Sequence, residues 1–275
     1  MKLLTPAQRE QWEARGFVLL PQALELETVR DLTRWVEEIE VWSRGDGPGL
    51  HHFEQTDRGP RIARSENFDP HHPGISGFMR GATLAAVLAE LFGEPAVLFK
   101  EKINYKYPGG GGFFPHQDAS AYHFVDHRIS CMVPLDSATV ESGCLWFASD
   151  RQEGLLPNKA GRISEGWLRQ ARWEPVEVAP GDLVFFDSYA PHKSDTNRSD
   201  SPRRLIYLTY NAASKGDLRE TYYSDKRTQF ETAGDEGASG HVLMSINDDF
   251  LGFPVDRPTA TPPGQPTQKR RTSSS

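Results

Sequence analysis

The chain has 275 residues with a formal net charge of −7, and 37% of its residues are hydrophobic. Nucleic-acid binding requires a clustered excess of Lys and Arg, which this acidic chain lacks, although a basic pocket can still lie inside it. Its two cysteines are too few for a disulfide framework. Because no internal repeat or composition break divides the sequence, we expect a single domain over residues 1–255.

The two ends of the sequence carry no targeting signal. The N-terminus has no apolar segment of a secretory signal, and no apolar run approaches the roughly 20 residues of a membrane span. We therefore expect a cytoplasmic protein, a monomer or homodimer, whose partner is a small-molecule substrate and neither a nucleic acid nor a membrane. Residues 256–275 are rich in Pro, Thr, Gln and Ser, and this composition predicts a disordered tail.

Helical patterns dominate the first part of the chain. Thr5 is placed to cap a short helix that ends at Gly16, and a buried strand is predicted directly after it, over residues 17–20. Residues 24–42 repeat apolar side chains at three- and four-residue intervals, which is typical of an amphipathic helix. The same periodicity predicts a further helix over residues 83–91.

Residues 43–77 separate these two helices and are rich in Gly, Pro, His and charged residues. This composition predicts an irregular connection. Long loops in compact domains are often lids or substrate walls, and we expect that role here and for residues 119–128. The paired histidines of the connection, at positions 51–52 and 71–72, are expected to be exposed.

The pattern changes to strand periodicity at residues 97–106, where polar and apolar side chains alternate. One face would carry Lys100, Lys102, Asn104 and Lys106, and the other Phe99, Ile103 and Tyr105, with Glu101 as an exception. Two interpretations stay open: an edge strand with a solvated basic face, or a strand whose polar face points into a cavity that holds an acidic ligand.

Several short strands follow, each bounded by turn residues. They are predicted at residues 129–135, 144–148, 182–186 and 204–211, with weak helical character at 166–171 and a helix over 215–226. Short, regularly spaced strands after a helical front end indicate a closed or sandwiched β core with helices packed outside.

The strongest chemical signal is His116-Gln117-Asp118, which follows the glycine run of residues 109–112. In an extended segment His116 and Asp118 point to the same side and can hold one side of a metal ion. His192 lies just beyond a buried strand and is the candidate third ligand. Two histidines and a carboxylate form a facial triad that leaves three positions open on a non-haem Fe(II). The glycines fit a hinge or a close backbone approach beside this site.

A 2-oxo acid co-substrate would fill two of the open positions and O2 the third. Arg203, at the start of the next strand, can bind the far carboxylate of a 2-oxo diacid through both guanidinium nitrogens. Ser194 can add a hydroxyl hydrogen bond to the same carboxylate. Arg204 points to the opposite face, and the two arginines exchange roles if the strand register shifts by one residue.

These motifs, together with residues 141–146, the segment from Pro180 to His192, and Asn197, resemble the phytanoyl-CoA dioxygenase family of Fe(II)/2-oxoglutarate oxygenases. The resemblance implies a double-stranded β-helix, a jelly-roll of cupin type, with helices packed on it. It also implies that Lys102 and Asn104, and by position Lys100, contact 2-oxoglutarate. Residues 148–151 depart from the family's Pro-Gly-Ser-His turn, which bears on substrate choice more than on activity.

Within the family, residues 98–106 and the glycine run are most similar to the branch that includes aminoethylphosphonate hydroxylases. This branch points to a small, polar, anionic substrate. Four aromatic side chains, which could equally line a pocket for an apolar or quaternary ammonium group, are candidates for the substrate wall: Phe114, Tyr122, Trp146 and Tyr207.

The predicted reaction is hydroxylation of an unactivated C–H bond, with release of succinate and CO2. The same chemistry could instead give desaturation or ring formation on a secondary metabolite. A non-catalytic jelly-roll that binds a small carboxylate is the alternative from another class, and a zinc or manganese cupin is a third, which would leave Arg203 without a role.

Overall fold

We describe the protein from a computed structural model, over residues 3–122, 124, 126–235, 243–247 and 249–258. The predicted tail begins at residue 256, and its residues 259–275 lie outside the described part of the chain. The helices, numbered in chain order, are α1 Pro6–Arg15, α2 Leu26–Trp42, α3 Pro73–Met79, α4 Ala82–Phe92, α5 Glu165–Leu168 and α6 Arg219–Asp235.

The strands form two antiparallel sheets. They are β1 Phe17–Leu20, β2 Leu50–Thr56, β3 Gly59–Glu66, β4 Ala96–Lys106, β5 Phe113–His116, β6 Arg128–Pro134, β7 Leu145–Ala148, β8 Asn158–Lys159, β9 Arg162–Ile163, β10 Trp173–Val176, β11 Leu183–Asp187, β12 His192–Ser194, β13 Arg203–Ala212 and β14 Phe253–Val255. The larger sheet has the order β1-β11-β6-β13-β4-β3-β2-β14, and the smaller one β10-β7-β12-β5-β9-β8.

The long central strand β13 shows how the sheets and helices pack. Leu205 points to the inner side, where it packs with residues of both sheets such as Phe186 and Phe147. Ile206 points to the outer side, against the buried face of α2 that includes Leu32. Burying one such side chain contributes about 1.5–3 kcal/mol, so the alternation along β13 fixes which face meets the helices and which faces the smaller sheet.

The predicted N-terminal helix, with Thr5 as its cap and Gly16 at its end, is confirmed. The Thr5 hydroxyl accepts from the backbone N–H of Gln8, whose side chain accepts from the backbone N–H of Thr5 in return, so that both groups cap α1. Gly16 ends the helix with φ of 72°, a conformation that favours glycine. The strand β1 and the helices α2 and α4 lie where the periodicity predicts them, within two residues at each end.

The expectation of an irregular connection over residues 43–77 is wrong. It contains the hairpin β2–β3, a 3-10 helix at Asp69–His71 and the helix α3. The hairpin escapes a hydrophobic pattern because most of its buried side chains are polar, among them Arg64 and Glu66. His72 is also buried, with its Nε2 3.1 Å from Glu38 Oε2, so it is not an exposed loop histidine.

Strand β4 lies inside the larger sheet between β13 and β3, which excludes the edge-strand interpretation. Thr209 pairs with Lys100 and Tyr210 with Leu98, so Phe99 is the extra residue of a β-bulge. Phe99 therefore packs on the same side as Tyr122, and its predicted place beside Ile103 and Tyr105 is wrong. The exception, Glu101, is buried in an ion pair with Arg219.

The stretch Pro73–Phe92 is long and apolar enough, by length and composition alone, to cross a membrane. It is, however, divided into α3 and α4 at Arg80 and Gly81, and Arg80 Nη1 lies 2.5 Å from the Asp69 carboxylate. Its buried side chains, including Met79 and Leu84, pack in the same cluster as α2 and β13. One face of the stretch therefore packs on the core of the domain, while its other side chains are partly or fully exposed.

Candidate active site

Three potential metal ligands meet between neighbouring strands of the smaller sheet. His116 is the last residue of β5, Asp118 opens a 3-10 helix two positions later, and His192 is the first residue of β12. His192 pairs directly with His116 across the two strands. One ligand atom of each residue lies within 4.8 Å of the others, which is the juxtaposition that the sequence predicts.

Backbone carbonyls fix the orientation of both imidazoles. His116 Nδ1 donates to the carbonyl of Phe114 at 2.7 Å, and His192 Nδ1 donates to that of Ala190 at 3.0 Å. A carbonyl oxygen only accepts, so each Nδ1 carries the proton and each Nε2 keeps its lone pair for a metal.

Electrostatics keep the triad in the form that binds metal. Burial lowers the pKa of His192 to about 4, and the adjacent His116 adds to the shift. Burial opposes ionisation of Asp118, but the neighbouring ammonium groups, Lys102 above all, outweigh it and hold the pKa of Asp118 below its usual range. A neutral His192 and an ionised Asp118 result at neutral pH, as the donor set of a non-haem Fe(II) site requires.

The triad forms part of the wall of a cavity with about 600 Å³ of empty space, part of which is open to solvent. Its other walls come from the inner face of the larger sheet and from α6. The C-terminal segment, residues 243–247 and 249–258, supplies the rest. The polar residues on its lining are Arg64, Glu66, Lys100, Lys102, Asn104, His116, Asp118, Tyr122, His192, Lys193, Ser194, Tyr207, Tyr222, Lys226, Ser245, Asn247 and Asp249.

Arg203 points inward and is 1% exposed. Its Nε and Nη1 have no hydrogen-bond partner within the described residues. It lies behind the lining and contacts Tyr207, which is on the lining. Arg204 faces outward and binds the Asp136 carboxylate, so the alternative register in which Arg204 faces the site is wrong.

The basic face of β4 points into the cavity. Lys102 Nζ lies 5.0 Å from the centroid of the Tyr207 ring, and Lys100 Nζ donates to the Tyr122 hydroxyl at 2.6 Å. Burial lowers the pKa of each lysine to about 8. Asn104 also lines the cavity, and its Oδ1 accepts from Arg64 Nε at 3.0 Å.

Lys106, the fourth polar residue of this face, lies deeper. Its ammonium donates to the Ser194 hydroxyl at 3.1 Å and to the carbonyl of Asp195 at 2.6 Å. Ser194 itself is on the lining of the cavity. The Ser194 hydroxyl keeps its own proton for a ligand, because Lys106 is the donor in their hydrogen bond.

Two of the four aromatic side chains predicted for the substrate wall lie on the cavity lining. Tyr122 and Tyr207 line the cavity, whereas Phe114 and Trp146 do not. The ring of Phe114 lies 4.0 Å from the guanidinium carbon of Arg162, and Trp146 packs 5.4 Å from the ammonium of Lys193. Because side chains alternate along a strand, the preceding residues face the cavity instead, Phe113 on β5 and Leu145 on β7.

A basic wall formed by β3 and α6 was absent from the sequence prediction. Lys226 Nζ lies 2.5 Å from Glu66 Oε2, and Arg64 Nη1 lies 3.3 Å from Glu66 Oε1. Burial lowers the pKa of Lys226 to about 8. Lys100 adjoins these residues through Tyr122 and Tyr222. We call Arg64, Lys100 and Lys226 the basic wall.

The glycine run allows a close approach of backbones beside the triad. A Cβ atom at Gly112 would lie 1.9 Å from the carbonyl oxygen of Ser194, and one at Gly111 would lie 2.4 Å from the backbone nitrogen of Gly252. Glu54 accepts from the backbone N–H of Gly111 at 2.8 Å. The glycine run therefore lies directly against β12 at Gly112 and against the C-terminal segment at Gly111.

A jelly-roll wall that carries two histidines and a carboxylate beside a basic cavity defines a non-haem Fe(II) oxygenase site. A sequence profile of the family described as Phytanoyl-CoA dioxygenase (PhyH) matches residues 12–205. The chain belongs to this family. It is an Fe(II)- and 2-oxoglutarate-dependent dioxygenase, and the predicted enzyme class and co-substrate are confirmed.

Curated relatives cover most of the chain. It is 48% identical over 256 residues to the methylphosphonate hydroxylase of Gimesia maris, covering 92% of this chain and 98% of that protein. It is 41% identical over 236 residues to a 2-aminoethylphosphonate dioxygenase of an uncultured bacterium, covering 84% of this chain and 90% of that protein.

Solved structures confirm the fold class. EctD from S. alaskensis, crystallised with 2-oxoglutarate and 5-hydroxyectoine, superposes with a TM-score of 0.65 at 21% identity and covers 77% of each chain. At this identity the likeness concerns the fold alone. It confirms a double-stranded β-helix core with packed helices, as the family resemblance implied.

Proposed function

We propose that this enzyme hydroxylates the carbon next to phosphorus in a small phosphonate. The reaction consumes R–CH2–PO3²⁻, O2 and 2-oxoglutarate and gives R–CHOH–PO3²⁻, succinate and CO2. One oxygen atom enters the new C–OH group and the other enters succinate. The two electrons that O2 needs beyond those of the C–H bond come from oxidative decarboxylation of 2-oxoglutarate.

The basic wall is the observation that carries this proposal. Arg64, Lys100 and Lys226 contribute three positive charges and Glu66 removes one, so the wall keeps two charges for a ligand. A phosphonate dianion neutralises these two charges. Both curated relatives described above are named for reactions on phosphonates, which supports the same substrate class.

The triad and the lining suggest a division of roles. His116, Asp118 and His192 would hold Fe(II), which supplies the site where 2-oxoglutarate and O2 react. Arg203 would bind the distal carboxylate of 2-oxoglutarate through its two unpartnered N–H groups. Lys102 contacts Tyr207, the neighbour of Arg203, so we assign it to 2-oxoglutarate together with Asn104 and Ser194.

Lys100 belongs with the substrate in this proposal. Its ammonium lies against Tyr122 and Tyr222 rather than against Tyr207, on the side of the cavity where Lys226 lies. The assignment of Lys100 to 2-oxoglutarate, which the family resemblance implied, is therefore replaced here by contact with the phosphonate. Tyr122 would line the substrate side, and Tyr207 the co-substrate side.

The purified enzyme tests the proposal with Fe(II), ascorbate, 2-oxoglutarate and either methylphosphonate or 2-aminoethylphosphonate. We expect substrate-dependent succinate release and an equal amount of hydroxylated phosphonate by ³¹P NMR. The carboxylate analogues acetate and β-alanine should release little succinate. Hydroxylation of another class of compound with no turnover of either phosphonate would refute the proposal, and a desaturated or cyclised product would change the reaction type.

Two variants locate the phosphonate. Lys226→Met should raise the KM for the phosphonate by roughly tenfold or more while the KM for 2-oxoglutarate is retained, because it removes a buried charge partner. Lys215→Met is the matched control, since Lys215 is exposed at the surface and does not line the cavity. Equal KM values for the phosphonate in both variants would place the phosphonate elsewhere.

The domain boundary and the setting of the reaction are part of this proposal. We infer that residues up to 255 form one catalytic domain and that the enzyme acts in the cytoplasm as a monomer or homodimer, without nucleic acid or membrane. The buried faces of α3 and α4, including Met79 and Leu84, pack in the same cluster as α2 and β13, which supports a single domain. A chain that ends after residue 258 should match the full chain in the same succinate assay.

A further inference from the structure

A C-terminal segment completes the cavity wall, beyond the part of the chain that the family profile matches. The segment comprises residues 243–247 and 249–258, and Ser245, Ile246, Asn247 and Asp249 line the cavity. Phe114 N donates to the Asp249 carbonyl at 2.8 Å, and Leu251 N donates to the Gly112 carbonyl at 2.9 Å. These bonds attach the segment to the strand that carries His116.

Asp249 directs a buried carboxylate into the cavity. It is 4% exposed, and its Oδ1 accepts from the Ser245 hydroxyl at 2.9 Å. Its Oδ2 lies 3.7 Å from His116 Nε2. In the described part of the chain, no Lys or Arg forms an ion pair with Asp249.

The other two carboxylates on the lining already have their partners. Glu66 is paired with Arg64 and Lys226, and Asp118 belongs to the metal-binding set. Asp249 does not belong to that set, because its oxygens are not within reach of all three ligand atoms. It lies at the edge of the triad, beside the space that a substrate must enter.

We propose that Asp249 determines specificity by binding a cationic group of the substrate. The inference rests on the proposed function and refines it: the phosphonate binds the basic wall, and an ammonium group on the neighbouring carbon binds Asp249. A buried carboxylate without a cation is costly, so an ammonium is favoured there and a second anion is repelled. The substrate class is therefore an aminoalkylphosphonate rather than an unsubstituted alkylphosphonate.

The experiment compares 2-aminoethylphosphonate with methylphosphonate in the wild-type enzyme and in Asp249→Asn. The wild-type enzyme should have the higher kcat/KM for 2-aminoethylphosphonate. In Asp249→Asn the ratio of the two kcat/KM values should fall by roughly 30-fold or more, as expected for loss of one partner of a buried charge pair. Asp249→Glu keeps the charge and should restore part of the preference.

Metal binding distinguishes this role from a structural one. Titration with Co(II) should give the same affinity for Asp249→Asn as for the wild-type enzyme. A weaker Co(II) affinity, an equal loss of kcat/KM on both phosphonates, or a wild-type preference for methylphosphonate would each overturn the inference. Failure of the proposed function is a different result, namely no succinate release with either phosphonate.

Discussion

Arg203 and Arg204 are adjacent in the sequence and have opposite environments, which makes them a matched pair for mutation. Arg203 is buried and keeps two N–H groups without a partner in the described residues. We predict that Arg203→Met raises the KM for 2-oxoglutarate by roughly 30-fold or more, because a buried carboxylate then loses its bidentate partner. Initial rates of succinate release at varied 2-oxoglutarate measure this change.

Arg204→Met is the control for this prediction. Its side chain forms an outward ion pair with Asp136 and Glu37, so the KM for 2-oxoglutarate should stay at the wild-type value. The free energy of unfolding should fall by about 1 kcal/mol at most, as is usual for a partly exposed pair. Similar KM values in the two variants would show that Arg203 does not bind the co-substrate.

Sequence patterns identify residues well when they stand close together in a motif and poorly when separate elements bring them together. His116 and Asp118 are visible as one motif, and the spacing of His192 and Arg203 supports them. Arg64, Lys226 and Asp249 lie far apart in the sequence, so no local pattern connects them. Phe114 and Trp146 are one position away from cavity residues, since strand register decides which neighbour faces inward.

The glycine run gives a prediction about the pairing of β5 with β12. Gly112→Ala would bring its Cβ against the Ser194 carbonyl, and neither backbone can yield without separating the two strands. We expect a loss of about 3 kcal/mol in the free energy of unfolding, at the upper end for overpacking. Metal affinity should also fall, because these strands hold His116 opposite His192. Urea denaturation and Co(II) titration measure both effects.

Gly77→Ala tests whether steric contact causes the loss of stability that we predict for Gly112→Ala. Gly77 lies inside α3, and a Cβ atom there has no neighbour within 4 Å. Alanine is the better helix former by roughly 1 kcal/mol, so this variant should be as stable as the wild type or more stable. Wild-type stability in Gly112→Ala would mean that the strands are not held as closely as the structure shows.

Among the helices and strands, those with regular apolar periodicity are predicted correctly. Those whose buried side chains are polar are missed. The helices α2 and α4 and the strands β4, β11 and β13 follow clear patterns. The hairpin β2–β3 does not, because Arg64, Ser65 and Glu66 are polar and nevertheless buried. The β-bulge at Phe99 has no signal in the sequence, since only the pairing with β13 reveals it.

The cavity is lined by several buried lysines although the protein as a whole is acidic. The titration of these lysines makes substrate binding depend on pH. Burial lowers the pKa values of Lys100, Lys102 and Lys226 to about 8. Above pH 8 these ammonium groups lose their charge, while a phosphonate remains a dianion. The KM for the phosphonate should therefore rise from pH 8 to 9.5, by up to about tenfold per pH unit for each lysine in contact.

Over the same pH range the free energy of unfolding of the ligand-free enzyme should rise, while the affinity for the phosphonate falls. A lysine with a folded pKa of about 8 binds fewer protons than it does unfolded, where its pKa is about 10.4, so the free energy of unfolding rises with pH. Burial also lowers the pKa of Lys106. Two buried cysteines and seven tyrosines oppose this trend, because burial raises their pKa values. Since their unfolded pKa values are about 8.5 and about 10, the rise in stability should be steepest near pH 8 and level off toward pH 9.5.

Chemical denaturation and KM measurements at pH 8.0, 8.75 and 9.5 therefore form one test, in which stability and KM rise together. Lys226→Met should reduce both slopes, because it removes one titrating group from the cavity and one contact from the phosphonate. A KM that stays constant while stability rises would mean that the lysines are buried as the fold requires but do not contact the substrate. The two slopes thus separate the burial of these charges, which belongs to the fold, from their use in binding.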